Sequence, residues 1–343
     1  MFTLSLTKVQ TVSQRVLAVL VAFVVACGLA AVAAPRASAA PRDFLRADAT
    51  GTCTWDAVGW WVQRCDVWSP SMNRTIPVQI QPAKRGGNAA LYLLDGLRAT
   101  DKTNAWVNDV NAARLYEPNN ITLVMPVGGT ASFYQDWQGP ATYDVINPVN
   151  YQWETFLTSE LPGYLERNFG VARNNNSIAG LSMGGTAAIT LAGKHPGQFR
   201  QALSFSGYLT TSLPGAHTFI RMALLDAGGY NVNAMYGSSL NPQRFENDPF
   251  NQINGLRNTD VYISAASGVP GPKDQSIPAN IQASGIALEG FALATTRLWE
   301  AKARAMGLNP TADYPATGEH NWINFGDQLV KTHKRVLDVM NAW

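Results

Sequence analysis

The residue that most clearly predicts chemistry in this chain is a serine with a glycine two residues away on either side. Ser182 is the central residue of the Gly-Leu-Ser-Met-Gly motif at 180–184, between an apolar stretch at 177–179 and a stretch of helical spacing that begins at Thr186. Strand, tight turn and helix in this order are what a nucleophile elbow requires, because small residues let strand and helix approach closely. We therefore predict that Ser182 is an acyl-accepting nucleophile.

A serine hydroxyl needs a base, and the four histidines of the chain are the candidates. His195 is predicted to end the helix after the elbow, His217 falls in an irregular segment, and His333 is predicted to lie on the solvated face of a terminal helix. His320 lies in a turn-like loop just before the last helix, where the elbow fold has its base. We predict that His320 is the general base.

The acid that orients this histidine cannot be chosen by spacing. It should lie between the serine and the histidine on a late loop or at a helix start. The carboxylates that qualify are Asp260, Asp274, Glu289 and Glu300. Asp260 fits the usual position at a strand end, whereas Glu289 and Glu300 could equally be charges on a helix surface. The choice stays open on these grounds.

An oxyanion hole needs two backbone N–H groups, one from the residue after the nucleophile and one from an early loop that follows a strand. The first residue is Met183. The loop 95–98 follows an apolar run and contains a glycine, so it can present the amide of Leu97. Taken alone, Asp95 and Arg98 in this loop could be a surface ion pair of little energetic value.

Short apolar runs alternate with stretches of helical spacing along the rest of the chain. Strands are predicted at 76–81, 90–94, 121–127, 177–180, 201–205 and 259–265, and helices at 153–168, 184–195, 286–306 and 324–343. Several runs are apolar throughout, which is typical of strands covered on both faces. We therefore predict an α/β fold of the α/β-hydrolase type, with a mostly parallel sheet flanked by helices. Residues 210–258, rich in Gly, Asn, Ser and Pro, are interpreted as an irregular insertion over the site.

The composition is that of one globular domain. Of 343 residues, 46% are hydrophobic and 15% charged, and the formal net charge of +2 comes from scattered Lys and Arg residues. Because basic residues do not cluster, a nucleic-acid partner is not expected. Neither repeats nor low-complexity tracts follow residue 43, so we predict a single catalytic domain over residues 40–343.

The first residues predict export. Lys8 and Arg15 precede an apolar run at 16–34 that leads to Ala-Ser-Ala at 37–39, a pattern typical of a secretory signal over residues 1–39. Two alternatives are a retained membrane anchor, since the run is nearly long enough to span a bilayer, and a lipid anchor at Cys27. The mature chain would keep Cys53 and Cys65, which we predict to form a disulfide in an oxidising compartment. A structural zinc site wants four ligands, so no metal is predicted.

Beyond the elbow, many longer motifs of this chain resemble those of the antigen 85-type mycolyltransferases, especially the corynebacterial trehalose corynomycolyl transferases. They are Ser-Pro-Ser-Met at 69–72, Tyr-Leu-Leu-Asp-Gly-Leu-Arg-Ala at 92–99, Met-Pro-Val-Gly-Gly at 125–129, Ser-Phe-Tyr at 132–134, Asp-Trp at 136–137, Trp-Glu-Thr-Phe-Leu at 153–157, the elbow itself, Asn-Asp-Pro at 247–249 and His-Asn-Trp at 320–322. The similarity thus runs through most of the chain beyond the signal.

This resemblance implies an α/β-hydrolase fold and transfer of a mycolic acyl group from one trehalose monomycolate to another, or to cell-wall arabinogalactan, without a cofactor. It implies as partners trehalose mycolates and glycan or lipid acceptors of the cell envelope. The family's glutamate in a Leu-Glu-Gly stretch corresponds to Glu289, which makes Glu289 the expected acid. The oxyanion amides map to Leu97 and Met183.

The family's sugar contacts correspond to Asp95, Arg98 and Trp322. Two departures limit the resemblance: residues 139–152 lack the cysteine pair of the mycobacterial members, and residues 210–258 match loosely. A shorter corynomycolate is therefore the expected acyl group. The alternatives are a secreted lipid esterase with the same catalytic residues and a non-catalytic carbohydrate-binding protein on the same scaffold.

Overall fold

One mixed sheet forms the centre of the computed structural model, which describes residues 52–238 and 240–343. Its strands are β1 (Cys53–Trp55), β2 (Gln63–Ser69), β3 (Arg74–Gln81), β4 (Ala90–Leu94), β5 (Thr122–Pro126), β6 (Asn176–Leu181), β7 (Phe199–Phe205), β8 (Asp260–Ser264) and β9 (Thr311–Asp313), in the order β1-β2-β3-β5-β4-β6-β7-β8-β9. The pairs from β1 to β5 are antiparallel, and all pairs from β5 to β9 are parallel. The predicted mostly parallel sheet is confirmed.

Helices cover both faces of this sheet. They are α1 (Ala105–Asn108), α2 (Ala112–Tyr116), α3 (Trp153–Thr155), α4 (Leu161–Phe169), α5 (Met183–Lys194), α6 (Ala216–Gly228), α7 (Val232–Tyr236), α8 (Pro242–Glu246), α9 (Ala279–Ala305) and α10 (Trp322–Met340). A π-helical turn, Phe156–Glu160, joins α3 to α4. All described residues fall within one compact unit.

The six predicted strands are all present, with ends that differ from the prediction by at most two residues. Strands β1, β2 and β9 were not predicted. Strand β2 alternates between buried and exposed residues, with Asp66 and Trp68 facing outward, so it contains no continuous apolar run. Strands β1 and β9 have three residues each, too few for a periodic signal.

The four predicted helices are also present, although α9 begins at Ala279 and not at 286. Pro278 occupies its N-cap position, and a proline there suits a helix start because its φ is already close to the helical value. The first turns of α9 contain Ser284 and Gly285, which have low helix propensity and hide the helical pattern there.

The segment 210–258 is mostly helical, so its prediction as irregular is wrong. It contains α6, α7, α8 and two 3₁₀ turns, Pro249–Asn251 and Ile253–Leu256. Its glycine and asparagine residues stand largely at helix ends, with Gly229 at the C-cap of α6 and Asn231 at the N-cap of α7. Several short helices in succession need many capping residues, and these produce a loop-like composition.

Burial on both faces explains why the central strands are apolar throughout. In β4, Leu91 and Leu93 pack in a cluster that includes residues of α10, whereas Tyr92 and Leu94 pack in a second cluster with residues of α5. Successive side chains of a strand point to opposite faces, so a strand covered on both sides needs apolar residues at every position. This part of the prediction is confirmed.

A disulfide closes the edge hairpin of the sheet. Cys53 and Cys65 are cross-strand partners of β1 and β2, and they are bonded through sulfur, as predicted. The predicted signal over residues 1–39 lies outside the described residues. Within the part of the chain that is described, none of the helices has the length and apolar character to cross a membrane.

Reduction of the Cys53–Cys65 bond should lower the free energy of unfolding by up to about 3 kcal/mol, because the bond closes a loop with a sequence separation of 12 residues. Guanidinium denaturation of the mature protein with and without reductant measures this change. The double variant Cys53→Ala/Cys65→Ala is the control, and its midpoint should not respond to reductant. An equal response of wild type and double variant would contradict the prediction.

Candidate active site

The turn between β6 and α5 forms the predicted elbow. Ser182 has φ 52° and ψ −123°, is 7% exposed, and stands at the N-cap position of α5. A Cβ atom on Gly180 would lie 2.3 Å from the backbone carbonyl of Gly184, so no larger residue fits at this close approach. The Ser182 N–H donates a hydrogen bond to the Phe205 carbonyl at 2.8 Å, which ties the turn to the neighbouring strand β7.

A buried carboxylate faces the imidazole of His320. The Nδ1 atom of His320 lies 2.8 Å from Oε2 of Glu289, and the two side chains are 8% and 1% exposed. The other oxygen, Oε1, accepts hydrogen bonds from the Ser206 hydroxyl at 2.7 Å and from the Ala266 N–H at 2.6 Å. Both carboxylate oxygens therefore have donors, as a buried charge requires.

The other three candidate acids are engaged elsewhere. Asp260 accepts hydrogen bonds from Arg335 and Gln201, and Glu300 accepts them from the Arg304 guanidinium and the Tyr314 hydroxyl. Asp274 accepts hydrogen bonds from Asn321, next to the histidine, and from Asn324 in the first turn of α10, but not from the histidine itself. Of the four carboxylates, Glu289 is therefore the one that hydrogen-bonds to His320.

Asp274 fixes this histidine loop. Its Oδ1 atom accepts hydrogen bonds from the side-chain amides of Asn321 at 2.8 Å and Asn324 at 3.0 Å. The His320 N–H donates to the Gly285 carbonyl of α9 at 3.2 Å. The loop is therefore tied to the same helix that carries Glu289.

The remaining histidines have structural surroundings. His195 follows α5 as predicted, and its Nε2 atom lies 2.8 Å from Oε1 of Glu154. His217 lies in α6 and not in an irregular segment. His333 is half-buried, so its predicted place on a solvated face is wrong. Its Nε2 atom lies 2.8 Å from Oδ1 of Asn119, and burial lowers its pKa.

Met183, one predicted oxyanion donor, directly follows Ser182, and the loop that contains the other, Leu97, runs beside it. Met183 is the first residue of α5, and N–H groups in the first turn of a helix have no acceptor within it. A Cβ on Gly96 would lie 4.0 Å from the Cβ of Ser182, so the loop after β4 runs beside the serine. The Leu97 carbonyl accepts a hydrogen bond from the Ala131 N–H at 2.9 Å, which fixes the loop.

Asp95 holds this loop from inside. Its side-chain oxygens accept hydrogen bonds from the Gly96 N–H at 2.9 Å and the Ala105 N–H at 2.8 Å, and the residue is 3% exposed. Burial raises the pKa of the Asp95 carboxyl to about 6, although both hydrogen bonds act to lower it. The carboxylate thus binds backbone groups, and its contact with sugar stays a prediction.

Arg98 and Trp322 lie at the outer side of the site. Arg98 forms an ion pair with Asp226 of α6, and these side chains are 67% and 71% exposed. Such an exposed pair contributes little stability, but it puts α6 beside the oxyanion loop, as expected for segment 210–258. The Trp322 ring packs edge-on against Trp106 and Phe325, with centroids 5.4 and 5.9 Å apart.

The sequence did not predict the segment Ser206–Tyr208 as part of the site. It directly follows β7, and the carboxyl end of a parallel strand next to the elbow strand is a general signal for site residues. Ser206 also has φ 51°, which is uncommon for a residue other than glycine. Among the residues that the structure describes, groups of three or more His, Cys, Asp or Glu side chains placed to hold a metal are absent.

The chain is similar in sequence to known proteins. The esterase family model matches residues 69–336. The diacylglycerol acyltransferase/mycolyltransferase Ag85C of Mycobacterium leprae is 37% identical over 285 residues, 82% of this chain and 83% of the relative. The corresponding enzyme Ag85A of Mycobacterium tuberculosis is 40% identical over 273 residues, 78% of each chain.

Solved structures agree on the fold. The crystal structure of Mycobacterium tuberculosis MPT51 (FbpC1) has a TM-score of 0.71 at 29% identity and covers 81% of this chain and 98% of that chain. An S-formylglutathione hydrolase from Agrobacterium tumefaciens has a TM-score of 0.61 at 15% identity, with 84% of this chain and 100% of that chain covered. The second likeness shows the shared α/β-hydrolase fold alone.

The pKa of Asp95 predicts a pH-dependent stability. The folded pKa of about 6 lies above the ordinary value, so this group's stabilisation is fully present below about pH 4 and is lost as the pH rises through about 6. Between about pH 7 and about pH 5, wild type should gain about 1 kcal/mol of unfolding free energy relative to Asp95→Asn. Urea denaturation of both proteins at the two pH values measures the difference, because other titrating groups cancel. An identical pH dependence would contradict the assignment.

Proposed function

The chain belongs to the esterase family and to the antigen 85-type mycolyltransferases, which are serine-dependent acyltransferases, and we propose that it transfers a mycolic acyl group through an acyl-enzyme on Ser182. The donor is trehalose monomycolate, and the acceptor is a second trehalose monomycolate or cell-wall arabinogalactan. The observation that carries this proposal is the buried hydrogen bond between His320 and Glu289, on the sheet whose elbow bears Ser182.

The proposed reaction has two halves. In the first, His320 takes the Ser182 proton while Oγ attacks the ester carbonyl, and trehalose leaves with the proton that His320 returns. In the second, a sugar hydroxyl loses its proton to His320 and attacks the acyl-enzyme, which releases Ser182 and forms the new ester. The N–H groups of Leu97 and Met183 stabilise the oxyanion in both halves.

Glu289 has an orienting part in this mechanism. Because Nδ1 of His320 faces the carboxylate, Nε2 is the nitrogen left to exchange protons with Ser182. The carboxylate also stabilises the imidazolium that forms in each half-reaction. Its remaining hydrogen bonds, from Ser206 and Ala266, keep it in place.

Apolar side chains beside the triad support a lipid acyl group. The rings of Phe219 in α6 and Phe291 in α9 contact each other, with centroids 4.6 Å apart. Phe291 follows Glu289 closely in the sequence, and both rings pack against Tyr208. Further along α6, Met222 is 66% exposed and offers apolar surface for a chain that leaves the site. We place the acyl chain along this side, and a short corynomycolate fits the loose family match of 210–258.

The sugar is proposed to bind at the outer side of the site, where Arg98 pairs with Asp226 of α6. Arg98 of the proposed oxyanion loop is largely exposed and can donate hydrogen bonds to trehalose. The half-buried Trp322 can stack on the sugar. Asp95 can accept a sugar hydroxyl only in addition to its two backbone donors. Its main part is then to shape the loop.

Export to the cell envelope is part of the proposal. It is supported by the signal pattern at 1–39 and by the Cys53–Cys65 disulfide, because disulfides persist in oxidising compartments outside the cytosol. An exported enzyme meets its lipid and glycan substrates where they are assembled.

Substitution Ser182→Ala should abolish covalent labelling by an active-site phosphonate, because the attacking oxygen is removed. Mass spectrometry of the intact protein measures the label. Ser177→Ala is a matched control on the same strand, since Ser177 is buried and hydrogen-bonds to Gln201. Ser177→Ala should be labelled to the same extent as wild type. Persistent labelling of Ser182→Ala would contradict the assignment of Ser182 as the nucleophile.

Incubation with trehalose monomycolate should give trehalose dimycolate and free trehalose. An esterase would share all catalytic residues and release free acid together with trehalose, and a bias of about 1.4 kcal/mol between the two deacylation barriers changes the product ratio tenfold. Thin-layer chromatography with mass spectrometry separates the products. Free acid and trehalose without dimycolate would favour the esterase, and ligand retention without turnover would favour a carbohydrate-binding protein.

A further inference from the structure

The segment that follows β7 contacts all three members of the proposed triad. Ser206 donates its hydroxyl proton to Glu289, and the strand's last residue, Phe205, accepts the N–H of Ser182. Tyr208, two residues further on, reaches both Ser182 and His320. The mechanism proposed above leaves this tyrosine without a part.

The side chain of Tyr208 joins the nucleophile to the base. Its hydroxyl is close enough to the side chain of Ser182 to interact with it. Its ring is stacked on the imidazole of His320, with centroids 6.0 Å apart and planes inclined by 20°. One residue thus touches the two side chains between which the proton must move.

Tyr208 is itself held firmly. Its N–H donates to the Oγ1 atom of Thr186, on the elbow helix, at 2.9 Å. Its ring packs against Phe219 and Phe291, with centroids 5.8 and 5.5 Å apart, and the residue is 7% exposed. A side chain with both its backbone and its ring packed has little rotamer freedom, so it can define the position of its neighbours.

The triad needs such a contact. The hydrogen bond from Nδ1 to Glu289 fixes one edge of the imidazole, but it leaves the ring free to tilt about that bond. The Phe325 ring packs edge-on against the imidazole with centroids 5.1 Å apart, and the Tyr208 ring stacked on one face restricts the remaining tilt. Burial raises the pKa of the Tyr208 hydroxyl above its ordinary value, so the hydroxyl stays neutral and keeps a proton to donate.

We propose that Tyr208 is a positioning residue for acyl transfer: its hydroxyl holds the Ser182 side chain, and its ring holds the plane of His320. With a hydrogen bond from Tyr208 on one lone pair, the serine hydroxyl directs its own proton to the imidazole. This proposal rests on the roles proposed for Ser182 and His320, but not on the identity of the acyl donor.

Two variants separate the parts of the side chain. Tyr208→Phe keeps the ring and removes the hydroxyl, and it should lower kcat for p-nitrophenyl butyrate about fivefold to tenfold with KM unchanged. Tyr208→Leu removes the stacked ring as well, and it should lower kcat about 100-fold, because small misplacements of reacting groups have large effects on rate. Phosphonate inactivation rates should fall in parallel.

Tyr116→Phe is the matched control. Tyr116 is a fully buried tyrosine whose ring packs against another histidine, His333, at 4.7 Å. This substitution removes a phenolic hydroxyl in a similar setting away from Ser182, and it should leave kcat and KM as in wild type. Thermal unfolding of all variants shows whether a loss of rate follows a loss of folding.

The short ester makes the outcomes distinct. A Tyr208→Phe enzyme with wild-type kcat, or one that changes only in KM, overturns the positioning role. If the wild-type enzyme makes no dimycolate and Tyr208→Phe lowers ester turnover, the proposed mycolate transfer is refuted and the role of Tyr208 is supported. Full ester turnover by Ser182→Ala would refute both.

Discussion

The hydrogen bond between Glu289 and His320 is the contact on which the arrangement of the site depends. A carboxylate that is 1% exposed must be surrounded by donors, and these come from three places in the chain: His320, Ser206 and Ala266. The loops after β7, after β8 and before α10 therefore converge on α9. A change in any of them leaves a buried acceptor without its partner, which costs stability as well as geometry.

The second constraint is the close approach at the elbow. Backbone atoms of β6 and α5 lie too near each other for any side chain at 180, and a Cβ on Gly184 would lie 2.5 Å from the carbonyls of Leu94 and Asp95. This contact brings the end of β4 next to the start of α5. The loop 95–98 and Ser182, the proposed oxyanion loop and nucleophile, are thus adjacent because of glycine packing.

Several residues near these contacts have a strained backbone. Positive φ angles occur at Ser182 and Ser206, and also at Ala131, Phe133 and Tyr134 in the loop after β5. That loop supports the oxyanion loop, since Ala131 donates to Leu97 and the Tyr134 hydroxyl accepts the N–H of Asp95. Residues in such conformations persist only where the surroundings hold them, which the dense hydrogen bonding of this region does.

The sequence by itself determined the apolar central strands, the turn at Ser182 and the choice of His320 as the candidate base, because each depends on a local pattern or on chain order. It could not choose Glu289 from spacing, and only the family resemblance pointed to it, because its contact with His320 joins residues 31 apart in sequence. Strand β2 and residue Tyr208 were missed for a related reason. Outward-facing residues interrupt the apolar pattern of β2, and a tyrosine's contact with a distant histidine leaves no periodic trace. The tertiary structure decided these features, since the partners of a buried side chain are set by packing between distant segments.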